Sequence, residues 1–305
     1  MSLLVITRKK ELISFVAEQK KTRKSIGFVP TMGALHEGHA SLVKLSASEN
    51  DCTLISIFVN PKQFSANEDL SKYPRTFQKD IEVCEKNNGT VLFAPTVEEM
   101  YPNHFKTEVK VTEITEVLCG AFRLGHFNGV ATVLNLLINL TQADKMYLGQ
   151  KDFQQVQVVK KMVEDLSLPI KIISCPTIRE ADGLPLSSRN RFLSPEGRKI
   201  SSTLPRALAQ VAKAFLAGER SVHKLDELCK AELNKEKLIP QYLEFRLTSD
   251  LTRKCEDTIS EDCVLALAQF IEDAGSKTRL IDNIVLGNDS SQIDALVELI
   301  KRALG

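Results

Sequence analysis

The sequence predicts an α/β protein, a doubly wound parallel sheet followed by a smaller α+β domain. Three observations lead there. Apolar strand-like runs alternate with helical periodicity from the start of the chain to residue 175. The polar motifs fall at or just after the ends of those strand-like runs, which is where open parallel sheets bind ligands. Past Pro195 and Gly197 the alternation stops, and three β-like runs follow one another without helices between them.

Taken in order, a helix over 7–20 precedes strands over 26–29, 53–59, 91–94, 145–148 and 170–175. Helices over 40–48, 77–87, 129–141 and 153–166 occupy the intervals. Right-handed crossovers then give a mainly parallel, Rossmann-like sheet covered on both faces. The domain boundary falls between 185 and 186. After it come helices over 200–216 and 222–238 and β-like runs over 241–247, 264–270 and 278–281. In the tail, 292–304, Ile293, Leu296, Ile300 and Leu304 recur near helical spacing, so a terminal helix is expected, either docked or exposed.

Composition narrows the function classes. With 305 residues, 43% hydrophobic, 26% charged and a net charge of +1, the chain has no global basic field, so nucleic acid is not an expected partner. The opening MSLLVITRKK runs apolar to basic, the reverse of a secretory signal, and a cytoplasmic location is expected. The longest apolar run, 130–140, is too short to span a bilayer and carries Asn135 and Asn139, so it is read as a buried helix. Seven cysteines without C-x-x-C spacing are read as free, mostly buried thiols.

The stretch IGFVPTMGALHEGH, 26–39, is a strand that breaks at glycine and restarts as a helix. Such a junction leaves backbone N–H groups pointing outward, an anion site suited to nucleotide phosphates. His36 and His39, three apart, can reach the same mouth, and Gly33 and Gly38 admit phosphate oxygens close to the backbone. The zinc-protease pattern needs histidines four apart and a third ligand. The plainer alternative is that the two rings merely cap the helix.

FVNPKQF, 58–64, carries Asn60 and Gln63 as neutral amides at a strand end, or as ordinary turn residues. Glu68, Asp69, Tyr73 and Arg75 follow in what reads equally as a solvated loop. In FRLGHFNGVAT, 122–132, Arg123 either grips an anion bidentately or pairs with an acid to fix its loop. In YLGQKDFQQ, 147–155, Asp152 suits a helix cap. Lys151 opposes the helix dipole there, which points to an anionic ligand for it and for Gln155. READGLPLSSRN, 179–190, offers Ser187, Ser188 and Arg189 on a Gly/Pro-punctuated segment that is either a lid or inert.

PTMGALHEGH, FVNPKQF, YPRT, RLGHFNGVATV, YLGQKDFQQ, DGLPLSSRN and RLIDN, in this order between Gly27 and Asn283, resemble the pantoate–β-alanine ligases. H-x-G-H alone resembles the wider nucleotidyltransferase superfamily and the class I aminoacyl-tRNA synthetases. The resemblance implies ATP-dependent condensation of (R)-pantoate with β-alanine to pantothenate, AMP and pyrophosphate through a pantoyl-adenylate. It assigns ATP binding to Met32, Gly33, Ala34, Leu35, His36, Glu37, Gly38 and His39, to Gly149, Gln150, Lys151 and Asp152, and to Leu186, Ser187, Ser188 and Arg189, with Ile178 against adenine.

The same resemblance makes His39 a proton donor, and His36, Lys151, Ser188 and Arg189 stabilisers of triphosphate charge. Gln63 and Gln155 hold pantoate, Gln63 also lying near β-alanine, with Asn60, Tyr73 and Arg123 as further contacts. Mg²⁺ is implied with ATP, mainly through its phosphates, with Asp80 a candidate ligand. A homodimer and a C-terminal lid domain are implied as well. Two departures stand out: NLLIN after Val133, where the family pattern has a Lys-Leu-Phe version, and the residues beyond Gly287.

Overall fold

A computed structural model describes residues 3–64, 70–273, 275–289 and 291–304. Glu68 and Asp69 lie outside the described residues. The chain forms two compact units. The first is Met1–Glu116, Gly120–Gln150 and Gln154–Cys175; the second is Val117–Cys119, Lys151–Phe153 and Pro176–Gly305. The long segment of the second unit begins ahead of residue 186 because Arg179 is ion-paired with Asp282 of that unit.

The first sheet is built from β1 (Leu4–Ile6), β2 (Ile26–Thr31), β3 (Cys52–Ile57), β4 (Val91–Phe93), β5 (Lys145–Gly149) and β6 (Lys171–Cys175). Its order is β1-β4-β3-β2-β5-β6 and every pairing is parallel. β1 is absent from the sequence reading because it is three residues long, sits at the edge and exposes Leu4 and Val5. The interior strands bury Ile26, Phe28, Val29, Leu54, Ile55, Leu92 and Phe93 completely, as expected of parallel strands covered on both faces.

Helices α1 (Lys9–Lys21), α2 (Glu37–Glu49), α3 (Phe77–Lys86), α4 (Val97–Met100), α5 (Cys119–Phe122), α6 (His126–Thr141) and α7 (Phe153–Asp165) fill the connections. α6 buries Val130, Val133, Leu134, Leu137 and Ile138. Asn135 and Asn139 lie together away from that stripe, Asn139 donating to the carbonyl of Asn135. Apart from edge strand β1, the chain order runs outward from β2 through β3 to β4 on one side and from β5 to β6 on the other, so β2 and β5 flank the switch point. Ligands of doubly wound sheets collect beyond the carboxyl ends of such a pair.

The second unit stacks α8 (Pro195–Ser201), α9 (Thr203–Leu216) and α10 (Val222–Asn234) with an antiparallel sheet of β7 (Tyr242–Leu247), β8 (Cys263–Asp273) and β9 (Ser276–Leu286). α11 (Ser291–Leu304) is docked, with Ile293, Leu296 and Ile300 in the same apolar cluster as Leu208, Val211, Leu267 and Ile284. β9 outlasts the apolar run 278–281 because the polar pair Asp282 and Asn283 is buried and hydrogen-bonded rather than exposed.

All seven cysteines are free and buried. Burial pushes the Cys84 thiol up to about 12, far from thiolate chemistry. Among the described residues no helix is long and apolar enough to cross a membrane.

Candidate active site

The turn after β2 is shaped by Asp80 of α3. Its side chain is 2% exposed; Oδ2 accepts the Ala34 N–H at 3.1 Å and Oδ1 accepts the Leu35 N–H at 2.8 Å and the Thr76 hydroxyl at 3.1 Å. Between them Gly33 and Ala34 take left-handed backbone angles, φ 82° and 52°. A non-glycine residue there costs roughly 1–2 kcal/mol, while each hydrogen bond to a charged acceptor contributes about 1.5–3 kcal/mol. The carboxylate therefore outweighs the strain. The Gly33 N–H is also satisfied, by Thr31 Oγ1 at 3.2 Å.

The helix starts at Glu37, not at residue 40, because His36 is its N-cap. His36 Nδ1 accepts from the Gly38 N–H at 3.2 Å, and His39 Nδ1 accepts from the His36 N–H at 3.3 Å. The two rings do cap the helix, and the N–H groups of residues 33–36 and 38 are paired internally. Capping leaves the rings a chemical role. With each Nδ1 committed as an acceptor, a neutral ring carries its proton on Nε2, and the two rings lie 4.1 Å apart between centroids. What the junction offers an anion is a pair of oriented imidazoles at the positive end of α2.

Gln63 closes the 3₁₀ turn Pro61–Gln63. Its Nε2 donates to Met32 Sδ at 2.9 Å and its Oε1 accepts from Asn60 Nδ2 at 3.1 Å, which ties this amide to the His36/His39 loop. Asn60 is 1% exposed. Its amide donates to Gln63 and to the Gly129 carbonyl, and accepts from the Lys62 N–H and the Tyr101 hydroxyl. Two donors and two acceptors are the whole capacity of an asparagine amide. Asn60 is therefore a bolt for Gln63, not an amide presented to a ligand. Gly129 has to be glycine: a Cβ there would sit 2.2 Å from the Lys62 carbonyl oxygen.

Arg123 meets His126 and the backbone of Gln63. Its Nη1 lies 2.9 Å from His126 Nε2 and its Nη2 donates to the Gln63 carbonyl at 3.4 Å. His126 Nδ1 reaches the same carbonyl at 2.8 Å. A carbonyl only accepts, so Nδ1 carries the proton and Nε2 accepts from Arg123. His126 stood in the motif without an assigned role; its function is to fix the Gln63 backbone. Tyr73 is buried with its ring 5.9 Å from Phe64. Gln150 is buried just after β5, and Gln155 is half-buried on the first turn of α7.

In the second unit Lys151 and Asp152 form a 3₁₀ turn with Gln150 ahead of α7, and Lys151 Nζ contacts Asp152 Oδ1 at 3.4 Å. Ser187 Oγ caps the turn Ser188–Phe192 by accepting the Arg189 N–H at 3.2 Å. Ile178, 38% exposed, bonds through its carbonyl to the Leu186 N–H. The segment is cross-braced: Asn190 donates to Glu180 and to the Pro185 carbonyl, while Arg198 pairs with Glu180 and Asp182. Those bonds make the segment a braced arm.

Among the described residues no group of three or more His, Cys, Asp or Glu side chains is placed to hold a metal. Both oxygens of Asp80 accept backbone N–H groups of the turn, so its carboxylate serves the loop in this arrangement.

The family model described as pantoate-beta-alanine ligase matches residues 4–285. A pantothenate synthetase of Carboxydothermus hydrogenoformans is 47% identical over 285 residues, 93% of this chain and 99% of that protein. One from a Sulfurihydrogenibium species is 44% identical over 280 residues, 92% and 99% of the two chains. The crystal structure of pantothenate synthetase from Thermus thermophilus superposes with a TM-score of 0.86 at 38% identity, covering 93% of this chain and all of that one (100%). A Francisella tularensis pantoate-beta-alanine ligase complexed with beta-gamma ATP and beta-alanine gives 0.73 at 34%, covering 93% and 97%. α11 lies beyond the matched residues. The chain belongs to the pantoate–β-alanine ligase family.

Proposed function

We propose that this protein condenses (R)-pantoate with β-alanine at the expense of ATP, giving pantothenate, AMP and pyrophosphate through a pantoyl-adenylate. The observation that carries the reading is the Met32–Gln63 contact, which couples an amide suited to a hydroxy acid to the loop bearing His36 and His39.

A carboxylate is a poor acyl donor, and adenylation supplies a leaving group. A pantoate carboxylate oxygen attacks the α-phosphorus, and the bond from that phosphorus to pyrophosphate breaks. Charge accumulates on the departing pyrophosphate, where the Nε2–H groups of His36 and His39 donate hydrogen bonds, His39 acting as a donor to it. Lys151, Ser188 and Arg189 supply the remaining charge stabilisation. Oriented donors of this kind are worth about 2.7–4 kcal/mol each in related chemistry. The β-alanine amine then attacks the acyl carbon, the C–N bond forms, AMP leaves, and the amine loses its proton.

Met32, Gly33, Ala34, Leu35, Glu37, Gly38, Gly149, Gln150, Asp152, Leu186 and Ser187 complete the ATP contacts, with Ile178 against adenine. Gln63 and Gln155 hold pantoate, with Tyr73 and Arg123 beside them. Mg²⁺ enters on the ATP phosphates, since magnesium is commonly held by phosphates and water with few protein ligands. The second unit serves as the lid, and the enzyme works as a cytoplasmic homodimer.

ATP–pyrophosphate exchange tests the reading. It is expected with pantoate alone and not with β-alanine alone. ADP as the product, or a product that keeps the nucleotide, would overturn it.

A further inference from the structure

The RLIDN stretch ends in Asp282 and Asn283, which have no role in the chemistry above. Both lie on β9 in the second unit, 2% and 6% exposed. Asp282 receives two parallel N–H bonds from the Arg179 guanidinium, 2.7 Å to Oδ2 and 2.9 Å to Oδ1. Arg179 also donates to the carbonyls of Gly183 at 2.9 Å and Asn283 at 3.3 Å. The neighbouring side chain reaches another stretch of the same unit: Asn283 Nδ2 donates to the Lys151 carbonyl at 2.8 Å. The Asn283 backbone N–H bonds back to Asp282 Oδ1 at 2.7 Å, which ties the Asp282 carboxylate to the backbone that carries Asn283.

Two adjacent residues of one strand thus hold the peptide of Lys151 and the root of the arm that carries Ser188 and Arg189. The antiparallel pairing of β8 with β9 and the apolar cluster hold the unit together without these polar contacts. What the polar pair adds is a fixed backbone at Lys151 and a fixed arm. Groups that meet one ligand gain most when their geometry is set beforehand.

We infer that Asp282 and Asn283 are positioning residues for the nucleotide, fixing Lys151 and the 178–189 arm as one preformed set. The inference rests on the reading that those two stretches contact ATP. Asp282 works through the arm and Asn283 through the lysine peptide; neither touches substrate. A carboxylate is needed at 282 because only it accepts both prongs of a guanidinium, and an amide at 283 because the Lys151 carbonyl requires a donor.

The test uses the full-length chain with Asn283→Ala, Asp282→Asn and Arg179→Lys, the last keeping the charge and losing the fork. Asn283→Ala leaves a carbonyl unpaired, and the KM for ATP in exchange is expected to rise about tenfold while the KM for pantoate stays unchanged. The increase in melting temperature produced by saturating ATP should shrink, and that produced by pantoate should persist. Should Asp282→Asn fail to fold, the other two variants carry the measurement. Folded variants with an unaltered ATP KM overturn the inference, as does a parallel rise in both KM values. Absence of pantoate-dependent exchange in the unsubstituted protein is a failure of the ligase reading instead, and the ATP-induced melting shift then decides the inference alone.

Discussion

Replacing Asp80 by Asn tests the shape of the loop that carries His36 and His39 with a nearly isosteric change. The amide keeps one acceptor and turns an NH₂ group toward one of the two donors, the N–H of Ala34 or of Leu35. Leaving a buried donor unpaired costs about 1–3 kcal/mol, and one charge-assisted bond worth about 1.5–3 kcal/mol is lost. Against this, releasing Ala34 from φ 52° returns roughly 1–2 kcal/mol. The balance favours a loop that leaves its left-handed turn and carries His36 and His39 out of position. The expected result is a net destabilisation of about 2–4 kcal/mol, a lower melting temperature, and a raised KM for ATP. Ala34→Gly in the same background removes the strain and should restore part of the ATP KM. An Asp80→Asn enzyme with the original melting temperature and ATP kinetics would refute the clasp. A defect relieved by raising Mg²⁺ would return Asp80 to the metal.

Gly129→Ala places a methyl 2.2 Å from the Lys62 carbonyl oxygen and 2.6 Å from the Gln63 nitrogen, so the Pro61–Gln63 turn must shift; overpacking of this kind costs about 1–3 kcal/mol, and steady-state kinetics should show a higher KM for pantoate with that for ATP little changed. Ending the chain after Gly287 removes the buried Ile293, Leu296 and Ile300, each worth about 1.5–3 kcal/mol at most, and calorimetry should record a clear loss of stability. Asp144 tests linkage: burial pushes its carboxyl up, but hydrogen bonds from Lys20 and the Ile26 N–H outweigh this and hold it below the ordinary range. Its contribution is therefore present above the unfolded pKa of about 3.9 and lost as pH falls through the lower folded value. The stability gap between the unsubstituted protein and Asp144→Asn should be seen at neutral pH and close in acid.

The alternating pattern carried the fold, because central parallel strands are long apolar runs and their helices have a different period. β1 escaped it by being three residues long at an edge, and strand order depends on contacts that no local pattern encodes. In the site, the two histidines were legible as a pair from their spacing, but their service as N-cap acceptors follows from side-chain geometry. Asn60 and Gln63 read alike in the sequence; only the fold shows that one amide is exhausted by internal partners. Asp80 is separated from the loop it holds by more than forty residues, and Asp282 and Asn283 by over a hundred from Arg179 and Lys151. Such partners meet only in the folded chain. Arg123 had one partner within reach of the motif, in His126, and a histidine three residues along a helix entry was the signal for it.

The adenylation step is tested most directly by supplying pantoate labelled with heavy oxygen in its carboxylate and examining the AMP by mass spectrometry. If a carboxylate oxygen attacks the α-phosphorus, one labelled oxygen must appear in the phosphate of AMP. Unlabelled AMP formed alongside pantothenate would show that the acid is activated by another route.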